Sequence, residues 1–142
     1  MIVVDPSALI AVLKGEQGFE PIRRFLYHPP KSLVISTASL LEAFISGERR
    51  SDIPGNGANV IEFARDLKIE AIPFDVTQMA WAIEGYERFG KGRSEEPAAL
   101  NFDDCFSYGL AKSRAAPLLF VGEDFTKTDV AIALPLPSRK EF

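Results

Sequence analysis

The chain of 142 residues carries one cysteine and one histidine, and this scarcity narrows its chemistry at the outset. A lone thiol, Cys105, excludes an internal disulfide and suits a reducing cytoplasm. It falls on an apolar helix face, while His28 stands beside Pro29-Pro30 in a turn. A Cys–His catalytic pair is therefore not expected, and Cys105 reads as core and His28 as surface. No apolar run approaches the roughly 18 residues of a membrane-spanning helix, and the N-terminus has no basic signal-like region. There are no internal repeats, no low-complexity tracts and no Walker-type phosphate loop. Positive charge is also short. A net charge of −4 argues against nucleic-acid binding through overall basicity, but permits a local basic rim around an acidic, metal-filled centre.

What is present is an ordinary soluble composition, 46% apolar and 25% charged, which fits one domain over residues 1–142. Short β-branched runs alternate with helical patterns. Strands are expected at Ile2-Val3-Val4, Leu33-Val34-Ile35, Ile69 to Phe74, Pro117 to Val121 and, as an edge strand, Val130 to Leu134. Helices are expected at Ala8–Leu13 (stopped by Gly15), Phe19–Tyr27, Ser36–Ile45, Ala58–Lys68, Val76–Phe89 and Phe102–Arg114. Arg49 to Gly57 and Gly90 to Pro97 are polar loops. This alternation predicts a three-layer α/β domain with a mostly parallel central sheet flanked by helices.

Carboxylates stand out against apolar surroundings at four places. Asp5 is the only charge before Lys14 and follows a strand; equally, it is a good N-cap ahead of Pro6. Glu42 is the only ionisable residue between Lys31 and Glu48, with mostly small neighbours one turn away. The alternative is a capping box, Ser39-x-x-Glu42. Asp103 and Asp104 open a helix, where acidic residues also complement the helix dipole behind an Asn101 cap. Glu123 and Asp124 follow the next strand.

In a parallel sheet, ligands bind at the carboxyl ends of the strands, so Asp5, Glu42, Asp104 and Asp124 are expected to converge there. Carboxylates brought together repel and raise one another's pKa unless a cation intervenes. Oxygen-only donors point to Mg²⁺, with Mn²⁺ as a substitute, rather than zinc, and such a centre suits phosphodiester hydrolysis. Lys91 and Arg93, between glycines in the loop ahead of the acidic helix, are candidate phosphate contacts. Trp81 and its neighbours read as core or as a dimer surface, and the 11 phenylalanines favour a covering subunit.

Five segments, in order, resemble the PIN-domain ribonucleases and in particular the VapC-type toxins of bacterial toxin–antitoxin pairs. They are Ile2-Val3-Val4-Asp5-x-Ser7-Ala8-Leu9, Ser39-x-x-Glu42, Tyr86-x-x-Phe89-Gly90-Lys91-Gly92-Arg93, Leu100-Asn101-Phe102-x-Asp104-Cys105-Phe106-x-Tyr108 and Leu118-Leu119-Phe120-x-Gly122-x-Asp124-Phe125-x-x-Thr128-Asp129. The resemblance implies a Mg²⁺-dependent endoribonuclease, a homodimer, and a VapB-type antitoxin whose C-terminal segment covers the acidic cleft. The family's acids fall on Asp5, Glu42, Asp104 and Asp124, with Asp5 and Asp104 as the metal ligands and Ser7 as the supporting hydroxyl. Asp103 and Glu123 are supporting acids beside them, and Glu123 is the alternative to Asp124 at the fourth position, Asp124 being preferred because it immediately precedes Phe125. Two positions depart from the family pattern: Pro6 stands where Thr is usual, and Asp103 where Gly is usual. Two further readings stay open, a catalytically inactive PIN-like module acting through its antitoxin and a housekeeping RNA-processing nuclease.

Overall fold

The computed structural model describes residues 1–15, 17–90, 92 and 100–136. Four parallel strands, β1 (Ile2–Val4), β2 (Leu33–Ser36), β3 (Glu70–Ile72) and β4 (Leu118–Leu119), form one sheet in the order β3-β2-β1-β4. Helices α1 (Pro6–Lys14) and α2 (Glu20–Tyr27) lie between β1 and β2. Helices α3 (Thr37–Arg49) and α4 (Asn56–Asp66) lie between β2 and β3. Helices α5 (Val76–Phe89) and α6 (Asp104–Arg114) precede β4. Among the described residues no helix is long and apolar enough to cross a membrane.

The period-two alternation of a strand divides the core into two layers. Ile2, Val4, Leu33, Ile35 and Leu119 pack with Ala8, Leu9, Ile22 and Leu26 on one face. Val3, Val34, Leu118 and Phe120 pack with Tyr108, Leu110 and Ala111 of α6 on the other. Each of the buried Val, Leu and Ile side chains contributes about 1.5–3 kcal/mol by leaving water. Both faces of the sheet are therefore covered along β1, β2 and β4, which read as near-continuous apolar runs, while the edge strand β3, Glu70–Ile72, stays largely exposed. Helices α5 and α6 approach closely because glycine lets them. A Cβ on Gly85 would lie 2.3 Å from the Tyr108 ring, and one on Gly109 would lie 2.5 Å from the Gln78 carbonyl.

Three local expectations are corrected. The expected edge strand Val130 to Leu134 is reduced to one parallel bridge, Leu118 to Ile132. Among the described residues two backbone bonds tie it to the sheet, from the Leu118 N–H to the Ala131 carbonyl and from the Ala133 N–H to the Leu118 carbonyl. The loop expected from Arg49 is shorter, since α3 runs through Arg49 and α4 starts at Asn56. Cys105 is half-buried rather than core, its thiol donating to the Asn101 carbonyl at 3.3 Å. His28 is exposed, as expected.

The strand order reverses between β1 and its two neighbours, since the chain adds β2 on one side of β1 and β4 on the other. In an open parallel sheet the crevice at such a reversal, beyond the carboxyl ends of the strands, is where a ligand binds. Asp5 stands there.

Candidate active site

Asp5 ends β1 while its backbone is still in register, its N–H donating to the Leu119 carbonyl at 2.9 Å. The β-to-helix switch turns its side chain into the crevice. One carboxylate oxygen accepts the Ser7 N–H at 3.0 Å and so caps α1, with Pro6 at the first helical position. The other accepts the Ser107 hydroxyl at 2.5 Å, and Ser107 Oγ lies 3.3 Å from Ser39 Oγ. The capping and site readings of Asp5 are thus one geometry, with a separate oxygen for each. Asp5 is only 6% exposed, and burial, partly offset by the hydroxyl and backbone donors, holds its pKa above the usual carboxylate range. Ser7 turns its own hydroxyl to the Val121 N–H at 2.9 Å, tying the segment after β4 to the start of α1.

Glu42 is not part of a capping box. Strand β2 passes into α3 with no intervening loop, so the cap falls on Ser36, whose hydroxyl accepts the Ala38 N–H at 3.1 Å. Ser39 is carried inside the helix to meet Ser107, and Glu42 has no backbone donor to satisfy. Its Oε2 is buried without a hydrogen-bond partner, a condition shared only with Gln78 Oε1 among the described side chains. Burial, followed by the charges of Asp5, Asp103 and Asp104, pushes the Glu42 carboxyl up to about 8.

Asp104 is the first residue of α6. The expected Asn101 cap is reversed: the Phe102-Asp103 turn places the helix start at Asp104, whose carboxylate accepts the Asn101 N–H at 3.0 Å. Burial raises Asp104 to about 7 against that N–H, helped by the charges of Asp5 and Asp124 and a side-chain hydrogen bond with Asp124. Asp103, Glu123 and Asp124 are exposed. Of the two acids after β4, Asp124 is the one whose charge acts on Asp5 and Asp104. Lys91 and Arg93 lie outside the described residues.

Five acids therefore act on one another here, and among the described residues no cationic side chain contributes to the shift of Asp5, Glu42 or Asp104. Among the described residues no three of these side chains form a ready-made metal cage. The donor set nonetheless fits a hard divalent cation. It offers a buried carboxylate oxygen with no donor and mutual repulsion that such an ion would relieve.

Two residues were not singled out from the sequence. Ser107 lies one helical turn beyond Asp104, on the same side of α6, so the i, i+3 spacing was the available signal. Asp129 accepts the Tyr108 hydroxyl at 2.7 Å and both Arg88 and Lys112 at 3.1 Å. Burial works against its charge, but the Tyr108 and Lys112 donors and the Lys112 and Arg88 charges outweigh it and hold its pKa low.

Residues 2–131 match the PIN domain family, and the chain belongs to that family. It is 39% identical over 135 residues to ribonuclease VapC30 of Mycobacterium tuberculosis, covering 94% of this chain and 100% of that one. It is also 41% identical over 130 residues to ribonuclease VapC of Mycolicibacterium smegmatis, covering 92% and 98%. The fold matches M. tuberculosis VapC20, described as a sarcin–ricin-loop-cleaving toxin, with a TM-score of 0.73 at 17% identity over 95% of this chain and all of that one. It also matches a chain of the DNA-bound VapBC complex of Salmonella typhimurium, with a TM-score of 0.67 at 17% identity over 92% and 94%.

Proposed function

We propose that this chain is the toxin of a type II toxin–antitoxin pair, a divalent-metal-dependent endoribonuclease that hydrolyses RNA phosphodiester bonds in the cytoplasm. The observation that carries the reading is the orphaned Glu42 Oε2 beside Asp5, Asp103 and Asp104 in a VapC-like chain. In this reading residues 1–142 form one PIN-like domain. Asp5 and Asp104 hold the ion, Mg²⁺ with Mn²⁺ as a substitute, and Glu42 and Asp124 complete the catalytic set. When bound, the cation lowers the pKa of water and stabilises charge developing on the phosphate. Glu42, whose Oε2 has no hydrogen-bond partner and whose carboxyl a bound cation would favour in its ionised form, would take the proton of the attacking water. Ser7 fixes the segment bearing Asp124, while Asp103 and Glu123 add negative potential that draws the cation in. Lys91 and Arg93 contact the RNA backbone.

A VapB-type antitoxin is the expected partner, supported by the VapBC complexes among the structural neighbours. A homodimer is supported by the exposed apolar side chains of α5, Val76, Met79 and Ile83. The second reading is a catalytically silent module, favoured by Pro6 and Asp103, which stand where Thr and Gly are usual in the family. Cleavage of RNA by purified protein in Mn²⁺ decides between them. Asp104→Asn and Asp5→Ala are each expected to lower the rate by about 10³-fold or more, roughly 4 kcal/mol of barrier, and to abolish growth inhibition. Full toxicity of both variants overturns the nuclease reading, and manganese binding that ignores Asp104 favours the silent module.

A further inference from the structure

One face of α3 continues away from the acids as a groove of about 720 Å³. Its floor repeats at helical spacing, Ala38, Leu41 and Glu42, Ile45 and Ser46, then Arg49, so a single stripe leads from the carboxylate centre to a cation. Seven residues at 1.5 Å each put Arg49 about 10 Å along the axis from Glu42. Arg50, at the helix end, lines the same groove. The opposite wall is Phe102, Asp103 and Phe106. Phe102 is 74% exposed directly beside the acids, an unusual place for a large apolar ring. Its edge is braced: Phe102 meets Phe106 at 5.0 Å and 77°, and Phe106 meets Phe74 at 5.2 Å and 85°. Bracing at one side leaves the rest of the ring to a ligand.

The arginines are not consumed by the fold. Among the described residues Arg50 reaches only Asp52, at 3.8 Å between two well-exposed side chains, a contact weak enough to yield. Arg49 is exposed at the last position of the helix.

We propose that this groove is a subsite for single-stranded RNA next to the scissile phosphate, with Phe102 stacking one base and Arg49 and Arg50 binding the backbone phosphates beyond it. The choice of ligand rests on the ribonuclease reading. The chemistry itself, a π face and two guanidinium groups separated by an apolar floor, matches a nucleotide strand. An acidic peptide would satisfy the arginines but has no flat ring for Phe102. Placing the cations about two helical turns from the acids also explains how an acidic centre tolerates a polyanion: the strand is anchored where the potential is favourable and passes one phosphate into the carboxylates.

The test is binding without cleavage. A fluorescein-labelled single-stranded oligoribonucleotide is titrated into the Asp104→Asn protein by anisotropy, with and without second substitutions at the groove. Arg49→Ala with Arg50→Ala should weaken binding about ten-fold or more and reduce the salt slope by about 1.4, the share of two phosphate contacts on a single strand. Phe102→Leu, which keeps the apolar bulk, should weaken binding about ten-fold, and Phe102→Trp should restore it. All these side chains are exposed, and Arg49→Lys, which keeps a charge, should recover most of the phosphate contribution. Binding unaffected by the arginine pair, equal affinity of Phe102→Leu and Phe102→Trp, tighter binding of polyglutamate than of RNA, or no RNA binding at all each overturns the proposal. Failure of wild-type protein to cut RNA in Mn²⁺ would overturn the nuclease reading instead, and leave the binding result to stand or fall alone.

Discussion

Asp104 opens α6, while Asp129, beyond β4, bonds to Tyr108 and Lys112 of the same helix, and the two acids meet opposite fates. Asp129 has two cations and a tyrosine hydroxyl turned toward it, and its pKa is lowered. Asp104 has other carboxylates and one backbone N–H, and its pKa rises to about 7. The first arrangement is complete as folded: it closes the contact between α5, α6 and the segment after β4. The second is incomplete by the same electrostatic rules, because a half-buried acid among acids is stable only when protonated or when a cation arrives. One helix thus carries a fastening, where Tyr108 and Lys112 hold Asp129, and a vacancy of charge at Asp104. The difference identifies the chemistry better than either residue does.

The largest way to break the comparison is to neutralise each acid in turn. Asp104→Asn should abolish cleavage yet leave the metal-free fold as stable as before or slightly more so, since it removes repulsion. Asp129→Asn should leave the manganese response intact and lower stability, by no more than about 1 kcal/mol because the site is well exposed. Thermal unfolding in chelator, beside an activity assay, reads both; loss of stability in Asp104→Asn would show that the two acids are alike.

A second, smaller effect follows from pH. Glu42 and Asp104 are raised to about 8 and about 7, so between about pH 4 and pH 8 the folded protein binds more protons than the unfolded chain. Stability from these groups is present below about pH 4 and lost as pH rises through 7 and 8. With solvent screening discounted, the fall is about 1–3 kcal/mol in chelator. Saturating Mn²⁺ favours the ionised acids and should flatten or reverse the trend, adding about 2.7 kcal/mol at a hundred times its dissociation constant. Melting temperature against pH, with and without Mn²⁺, checks the sign; a metal-free protein that grows more stable from pH 5 to 8 contradicts it.

Much of this was legible in the chain because the signals were local. Asp5-Pro6 after Ile2-Val3-Val4 announces both a strand end and a helix start, and Gly15 takes the left-handed C-cap expected of it, at φ 68°. Isolation in apolar sequence was enough to single out Glu42. The errors came where one local pattern competed with another. Ser39-x-x-Glu42 satisfies the capping-box spacing, yet the cap sits three residues earlier because β2 runs directly into α3, a tertiary fact absent from the spacing. Asn101 was the better cap by composition, but the turn at Phe102-Asp103 moved the helix start past it. The groove of Arg49, Arg50 and Phe102 joins a helix end to a helix start about 50 residues away, a juxtaposition that only the packing of α3 beside α6 creates.

Ser107 gives the finest test, because it separates the position of a carboxylate from its charge. Its hydroxyl reaches one oxygen of Asp5 at 2.5 Å, while the Ser7 N–H holds the other at 3.0 Å. Ser107→Ala leaves the cap and removes only the bond that aims Asp5 across the crevice. Loss of a hydrogen-bond partner behind a metal ligand typically lowers metal affinity by 10–100-fold. A shift toward the low end, about ten-fold, is expected here because Ser39 Oγ remains 3.3 Å from the vacated position and a water can bridge the gap. The fold itself should lose about 1 kcal/mol, a typical net value for one hydrogen bond, and about 3 °C in melting temperature. Ser107→Thr, which keeps the hydroxyl, should recover the affinity where it packs, and Ser39→Ala should leave affinity nearly unchanged while making Ser107→Ala worse. Manganese affinity measured by calorimetry on the single and double variants reads the coupling directly. Equal affinity in wild type and Ser107→Ala would mean that Asp5 is positioned by the start of α1 alone.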